Sequence, residues 1–162
     1  MKIKQRESFR PFAPAVLEED LGKWFDISSI SPYMLITAPI QESIRIAVKQ
    51  KEGLDKLSQI RSELPAITHV DYSARVQTVS SRTNPKFHKL ITEFKALTGV
   101  GMLINTSFNV RGEPPVCTPY DSIRSFLATE MDVLVMQNVV LYKEQQPDIA
   151  IVEAKQVVFE KD

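Results

Sequence analysis

The 162-residue chain carries 20 basic and 20 acidic side chains, and this balance gives no electrostatic reason to expect nucleic acid or an anionic membrane as partner. Its one cysteine, Cys117, excludes an internal disulfide and a thiolate metal cluster. No apolar run nears the roughly 20 residues of a membrane span, and Met1 to Glu7 lacks the apolar core of a signal peptide; the chain reads as a soluble, cytoplasmic protein with room for one hydrophobic core.

Residues 2–11 hold Lys2, Lys4, Arg6 and Arg10 against a single acid, Glu7. In an extended segment all four cations share one face, where guanidinium forks and ammonium groups suit a phosphate; a solvated basic terminus accounts for the same charges. Phe12 to Leu17 predicts a strand edged or interrupted by Pro14, and Glu18 to Phe25 a short helix with its acids first. Tyr33 to Ala38 predicts a buried strand. From Pro39 to Glu63 the apolar spacing is irregular, which reads as partial helix and exposed loop.

The β-branched run Ala74 to Val79 predicts a further strand. His69 and Asp71, two apart, would share a strand face, compatible with a catalytic pair or with a histidine satisfied at a strand edge. Asn84-Pro85 opens the clearest helix, with Phe87, Leu90, Ile91, Phe94 and Leu97 as its apolar stripe, His88 on the outer side and Gly99 as its stop. Met102-Leu103-Ile104 has the pattern of a buried strand and gives way abruptly to Asn105, Thr106, Ser107, Asn109, Arg111 and Gly112. Polar groups gathered at a buried strand end must satisfy one another, as in a turn, or face a ligand. Cys117 reads as a small core residue ahead of a helix that starts at Thr118-Pro119 and buries Ile123, Phe126 and Leu127. Residues 132–136 and 139–142 predict a hairpin around Gln137-Asn138. The apolar runs 149–152 and 157–159 predict a terminal strand or two.

Four separated motifs carry a family resemblance. Arg6 to Pro14, Thr68 to Asp71, Ala74 to Val79 and above all Leu103 to Pro114 resemble the C-terminal domain of the O-carbamoyltransferases, the nodulation-factor and antibiotic-tailoring enzymes. Thr106 to Pro114 is also similar to the Thr-Ser-Ala-Asn-x-Ser-Gly-Glu-Pro segment of the YrdC-like carbamoyl-adenylate synthases. Phe108 and Arg111 stand where that pattern has alanine and serine. Lys4-x-Arg6 is similar to the same proteins' Lys-x-Arg phosphate motif.

The resemblance implies an α/β fold, a YrdC-like twisted mixed sheet flanked by helices, over residues 1–145, with a C-terminal extension over 146–162. It implies a domain that joins carbamoyl phosphate to ATP, Mg2+ accompanying the nucleotide, to make carbamoyl adenylate and pyrophosphate. A preceding actin-like domain would pass the carbamoyl group to a substrate hydroxyl; such a domain would be absent here, and a bare surface or self-association would mark its place. Lys4, Arg6 and Arg75 are the expected catalytic cations, and Arg10, Asn105, Thr106, Ser107, Asn109 and Arg111 the expected ligand-binding groups. No metal ligand is expected. Lys4, Arg6, Arg75, Ser107 and Asn109 are expected to converge at the end of the Met102 strand, since a phosphate-rich ligand needs donors from several directions. A non-catalytic module that keeps the fold and holds a nucleotide or a partner domain is the alternative.

Overall fold

The computed structural model describes residues 3, 4, 7, 9–49 and 51–156. They fall into two compact units, Phe9–Thr106 in one and Met1–Ser8 with Ser107–Asp162 in the other, each with its own apolar cluster where one core was expected.

The first unit is built on a four-stranded mixed sheet in the order β2-β3-β1-β4, with β1 Ala13–Leu17, β2 Ile36–Pro39, β3 Ser73–Val79 and β4 Met102–Asn105. β1 runs parallel to β3 and antiparallel to β4, while β2 is antiparallel to β3. β1 is central and fully buried, despite Pro14. Proline is tolerated there because the parallel ladder to β3 begins only at Ala15, so no ladder bond needs the missing N–H of residue 14.

One sheet face carries Val16, Ala38, Ala74, Val76 and Met102, packed against Leu21, Trp24, Phe25, Ile40, Ile44 and Ile67. On the other face Ala15, Leu17 and Val79 receive Ile91 of helix α2, Pro85–Thr98. Asn84 caps α2 by accepting a hydrogen bond from the Phe87 backbone at 3.3 Å, and Gly99, at φ 78°, ends it in the left-handed conformation. The expected stripe is narrower than its spacing implied: Leu90 is 56% and Leu97 87% exposed. α2 packs on β1 and β4 through its Ile91 side, and Leu90 and Leu97 are left uncovered.

β2 begins at Ile36, and Tyr33 and Leu35 are exposed rather than buried in a strand. The chain turns before β2, with the Met34 N–H donating to the Ser31 carbonyl and Met34 at φ 58°, so these residues lie beyond the edge of the sheet. The short helix α1 spans Leu21–Trp24 after a 3-10 turn at Glu18–Asp20. Residues 40–63 contain two further 3-10 turns and an isolated bridge between Arg45 and Ser62.

In the second unit helix α3, Pro119–Ala128, opens with a reciprocal cap in which Thr118 and Asp121 each hold the other's backbone N–H. Those bonds, the Thr118 hydroxyl first, hold the Asp121 carboxyl below its usual range. Phe126, Leu127 and Leu134 form the core, flanked by Phe108, Ile123, Leu141 and Ile151. The hairpin pairs β5 Val133–Met136 with β6 Val139–Tyr142, turning at Gln137 with φ 54°. Lys143 places its ammonium at the C-terminal end of α3, donating to the carbonyls of Phe126, Leu127 and Thr129. Burial pulls its pKa below the usual lysine value.

Ile149–Val152, expected in a strand, lies in helix α4, Asp148–Lys155. Pro147 at its start and the spacing of Ile151 and Ala154, which reach the Phe126 cluster, suit a helix packed on α3. The run 157–159 lies outside the described residues, as do Lys2 and Arg6. Among the described residues no helix is long and apolar enough to cross a membrane.

Candidate functional site

The polar run after β4 passes from one unit to the other, and its second half forms a loop around a lysine. The Lys4 ammonium donates to the Ser107 carbonyl at 2.8 Å, the Ser107 hydroxyl at 3.3 Å, the Asn109 carbonyl at 2.5 Å and Asn109 Oδ1 at 2.9 Å. Ser107 Oγ donates to the same Asn109 Oδ1 at 2.6 Å. Lys4 sits in a turn, and Lys2 and Arg6, expected beside it on one extended face, lie outside the described residues.

Below the lysine the loop is fixed by Glu113, which is 6% exposed. Its Oε2 accepts from the Val110 backbone at 3.0 Å and from Ser125 Oγ at 2.9 Å, while Oε1 lies 4.0 Å from Arg124. Asn109 Nδ2 donates to the Glu113 carbonyl at 2.7 Å. The Glu113 N–H closes a turn onto the Val110 carbonyl, and Gly112, at φ 80°, occupies the turn position that excludes most side chains. Arg111 is mostly exposed and reaches Glu7 at 3.8 Å, a weak contact that leaves its guanidinium facing water.

Loop and lysine thus brace each other, and hydroxyl, amide and ammonium groups crowd around Ser107 and Asn109. Cys117, expected in the core, is exposed, with its Sγ 3.5 Å from the Pro115 carbonyl. It lies on the exposed link between Pro115 and the α3 cap.

In the sheet unit the register sets Thr37 opposite Arg75, Ala15 opposite Gln77 and Leu103, and Ala13 opposite Asn105, all on one face. α2 covers the Leu17–Val79 end of that face and Ala15, which is fully buried, and Arg75, Gln77 and Asn105 lie on the same face. Asn105 Nδ2 donates to Gln77 Oε1 at 2.5 Å, and Gln77 Nε2 donates to the Pro32 carbonyl at 3.1 Å. The Gln77 amide therefore fixes the Asn105 amide on the sheet face. Arg75 is exposed and makes no ion pair among the described residues. Arg10 and Thr106 are exposed in this unit as well.

His69 and Asp71 do not pair on a strand. They lie in a tight turn ahead of β3, where Asp71 Oδ1 accepts from the Ser73 hydroxyl at 2.7 Å and the Ser73 backbone at 3.0 Å. These bonds, the hydroxyl first, hold the Asp71 carboxyl below its usual range. His88, expected on the surface, is half-buried and contacts Glu19 at 2.9 Å.

Among the expected residues, then, Lys4, Ser107 and Asn109 meet directly, Arg111 lies in the same unit, and Arg75 shares a sheet face with Asn105; Arg6 is outside the described residues. The expectation passed over Gln77 and Glu113. Gln77 was legible in the alternation from Arg75, and Glu113 was quoted within the motif without a role. It also missed a cavity of about 350 Å3 at the carboxyl ends of β1 and β3, lined by Glu18, Tyr33, Gln77, Ser80, Arg82 and Asn84. The signal for it is a polar loop between a strand and a helix N-terminus, at the strand ends where α/β sheets usually bind ligands. No group of three or more potential metal-ligating side chains occurs among the described residues.

Residues 1–143 match the family model described as Carbamoyltransferase C-terminus. The chain belongs to this family. As a carbamoyltransferase C-terminal chain it is 53% identical over 166 residues to an uncharacterized protein of Synechocystis sp., an alignment covering 100% of this chain and 27% of that protein. It is 38% identical over 144 residues to the nodulation protein NolNO of Sinorhizobium fredii, covering 87% of this chain and 19% of the relative. To the 3'-hydroxymethylcephem-O-carbamoyltransferase of Amycolatopsis lactamdurans it is 46% identical over 112 residues, covering 69% of this chain and 18% of the relative. The chain thus spans about a fifth to a quarter of the length of these carbamoyltransferase-family relatives.

Proposed function

We propose that this chain is the adenylating half of an O-carbamoyltransferase. It binds ATP and carbamoyl phosphate and forms carbamoyl adenylate, which the rest of a longer protein, an actin-like domain, uses to carbamoylate a hydroxyl. The reaction balances as carbamoyl phosphate, ATP and one water giving carbamoyl adenylate, pyrophosphate and orthophosphate, with Mg2+ entering as the counter-ion of ATP.

The observation that carries the reading is the Lys4 ammonium held inside the Ser107–Asn109 loop, a positive charge ringed by hydroxyl and amide groups that can exchange their mutual bonds for phosphate oxygens. In the sheet unit, taken by itself, Arg75 is an exposed cation and Gln77 fixes the Asn105 amide on the same sheet face. Bringing together two phosphorylated anions is chiefly a matter of positioning and charge compensation, and no covalent nucleophile is required.

Calorimetric titration with carbamoyl phosphate and with a non-hydrolysable ATP analogue tests this. Arg75→Ala and Ser107→Ala should each weaken one of the two ligands by about 1.5–3 kcal/mol, the worth of a hydrogen bond to a charged group, or roughly 10- to 100-fold in Kd. Unchanged affinities beside normal melting curves overturn the reading. A second reading, a binding module without turnover, is favoured by the saturation of the Lys4 ammonium with four loop oxygens. ATP-dependent release of pyrophosphate in the presence of carbamoyl phosphate separates the two.

A further inference from the structure

β4 is an edge strand, and the parity of its ladder identifies which backbone groups face outward. The Leu17 N–H donates to the Gly101 carbonyl at 3.1 Å, so Leu17 and Gly101 form a hydrogen-bonded pair of the antiparallel ladder. Alternation makes Ala15–Leu103 and Ala13–Asn105 hydrogen-bonded pairs too, while Pro14 and Val16 face Ile104 and Met102 without bonding them. The N–H and C=O groups of Met102 and Ile104 therefore point away from β1. Among the described residues they have no hydrogen-bond partner.

That edge is the floor of a groove of about 630 Å3 in the sheet unit. Phe94 and Thr98 of α2 stand on one side and Pro65 and Ile67 on the other. Glu63 is the single charged side chain in its lining. An aliphatic or aromatic small molecule would cover the apolar walls and leave two backbone donors and two acceptors dehydrated and unpaired, which is costly. An extended polypeptide satisfies both, its backbone completing the ladder and its alternate side chains entering the groove.

We propose that β4 is an acceptor edge for a fifth strand, supplied by the part of the carbamoyltransferase polypeptide that lies outside the matched C-terminal region. The inference rests on reading this chain as one part of a longer enzyme. The polypeptide is available in the relatives, of which the matched region is only 27%, 19% and 18%. An uncovered apolar edge strand of this kind is an aggregation hazard that proteins ordinarily cover or charge, and β4 has no charged residue.

Residue-resolved hydrogen exchange tests the proposal because the parity argument names the amides. In this chain alone Leu103 and Asn105 should be protected by β1, and Met102 and Ile104 should exchange fast. When the chain is joined to the remainder of the Synechocystis relative in one polypeptide, Met102 and Ile104 should slow by about 100-fold or more, with Leu103 unchanged. Ile104→Pro removes only an outward N–H, so it should leave the melting of the isolated chain intact and return Met102 in the joined polypeptide to fast exchange. If Ile104→Pro does not fold, Ile104→Lys serves instead.

Equal exchange at Met102 and Ile104 in both forms overturns the proposal. So does protection in the isolated chain that rises with concentration alongside a dimer in sedimentation, which would make the occupant a second copy. If the joined polypeptide does not fold, the same comparison between the whole Synechocystis protein and its matched region, at the aligned positions, decides the matter. A joined polypeptide that forms carbamoyl adenylate with an unprotected edge removes this inference alone, whereas protection without adenylation leaves it standing and removes the enzymatic reading.

Discussion

Gly101, one residue before β4, is the glycine at which an added side chain meets its neighbours. Its φ lies outside the left-handed region, so on backbone grounds Gly101→Ala should be stabilising by about 0.4–1 kcal/mol through the unfolded chain. Space reverses the sign. A Cβ at this position would sit 2.1 Å from Asp20 Oδ2 and 3.2 Å from Lys95 Cδ. Asp20 is 8% exposed, and its Oδ1 is held at 2.7 Å by Lys95, so moving the carboxylate aside disturbs that pair. Overpacking of this kind costs about 1–3 kcal/mol and losing a pair whose lysine is partly exposed adds up to about 1 kcal/mol, so after the backbone gain is subtracted a net loss of up to about 3.5 kcal/mol is expected. For a domain of this size the melting temperature should fall by up to roughly 25 °C, read by circular dichroism or calorimetry. The same substitution in an Asp20→Ala background should cost less than about 1 kcal/mol, because the obstructing carboxylate is gone. Equal losses in the two backgrounds, or no loss in either, would refute the steric argument.

Two further outcomes follow from buried and bonded carboxylates. Glu113→Gln replaces a buried carboxylate that accepts two hydrogen bonds and lies 4.0 Å from Arg124 with a neutral amide that must turn one N–H toward a donor, so the loop unit should lose about 2–4 kcal/mol and the Val110 amide its exchange protection; a variant that melts normally with Val110 still protected would show that Glu113 does not hold the loop. Asp71, whose folded pKa is depressed by Ser73, contributes stability that is present above its unfolded value of about 3.9 and is lost as pH falls through the lower folded value. Melting curves between pH 5 and 2.5 should therefore decline less steeply for Asp71→Asn than for the parent chain, and parallel declines would contradict the assignment.

What could be read from the sequence and what could not divide along a physical line. Helices with strong local signals were legible because their information is local: Asn84-Pro85 with Gly99, and Thr118-Pro119 with Asp121, specify caps that form wherever the helix is placed. The β5–β6 hairpin was legible for the same reason. Burial was legible only where the number of covering elements could be guessed, and Leu90, Leu97 and Leu35 failed because a period of apolar residues says nothing about how much sheet lies beneath it. Ile149–Val152 failed because a short run of β-branched residues fits a buried helix segment as well as a strand, and contact with α3 decided between them.

The same distinction applies to the candidate site. Ser107 and Asn109 stood out as polar residues breaking an apolar run, and Lys4 as a cation in a basic stretch, but the bond between them spans more than a hundred positions and has no local signature. The residues that orient these groups, Gln77 within the sheet unit and Glu113 within the loop unit, were the least conspicuous, since each looks like an ordinary strand or turn residue until its partners are known. Gln77 orients Asn105, and Glu113 fixes the turn that carries Asn109. Substituting either should alter ligand affinity through geometry, so shape-conserving changes such as Gln77→Glu and Glu113→Gln should weaken binding although neither side chain is one of the proposed cationic contacts. The motif residues touch the ligand in this reading, and their orientation is set by amides and carboxylates whose importance appears only when the strands are placed side by side.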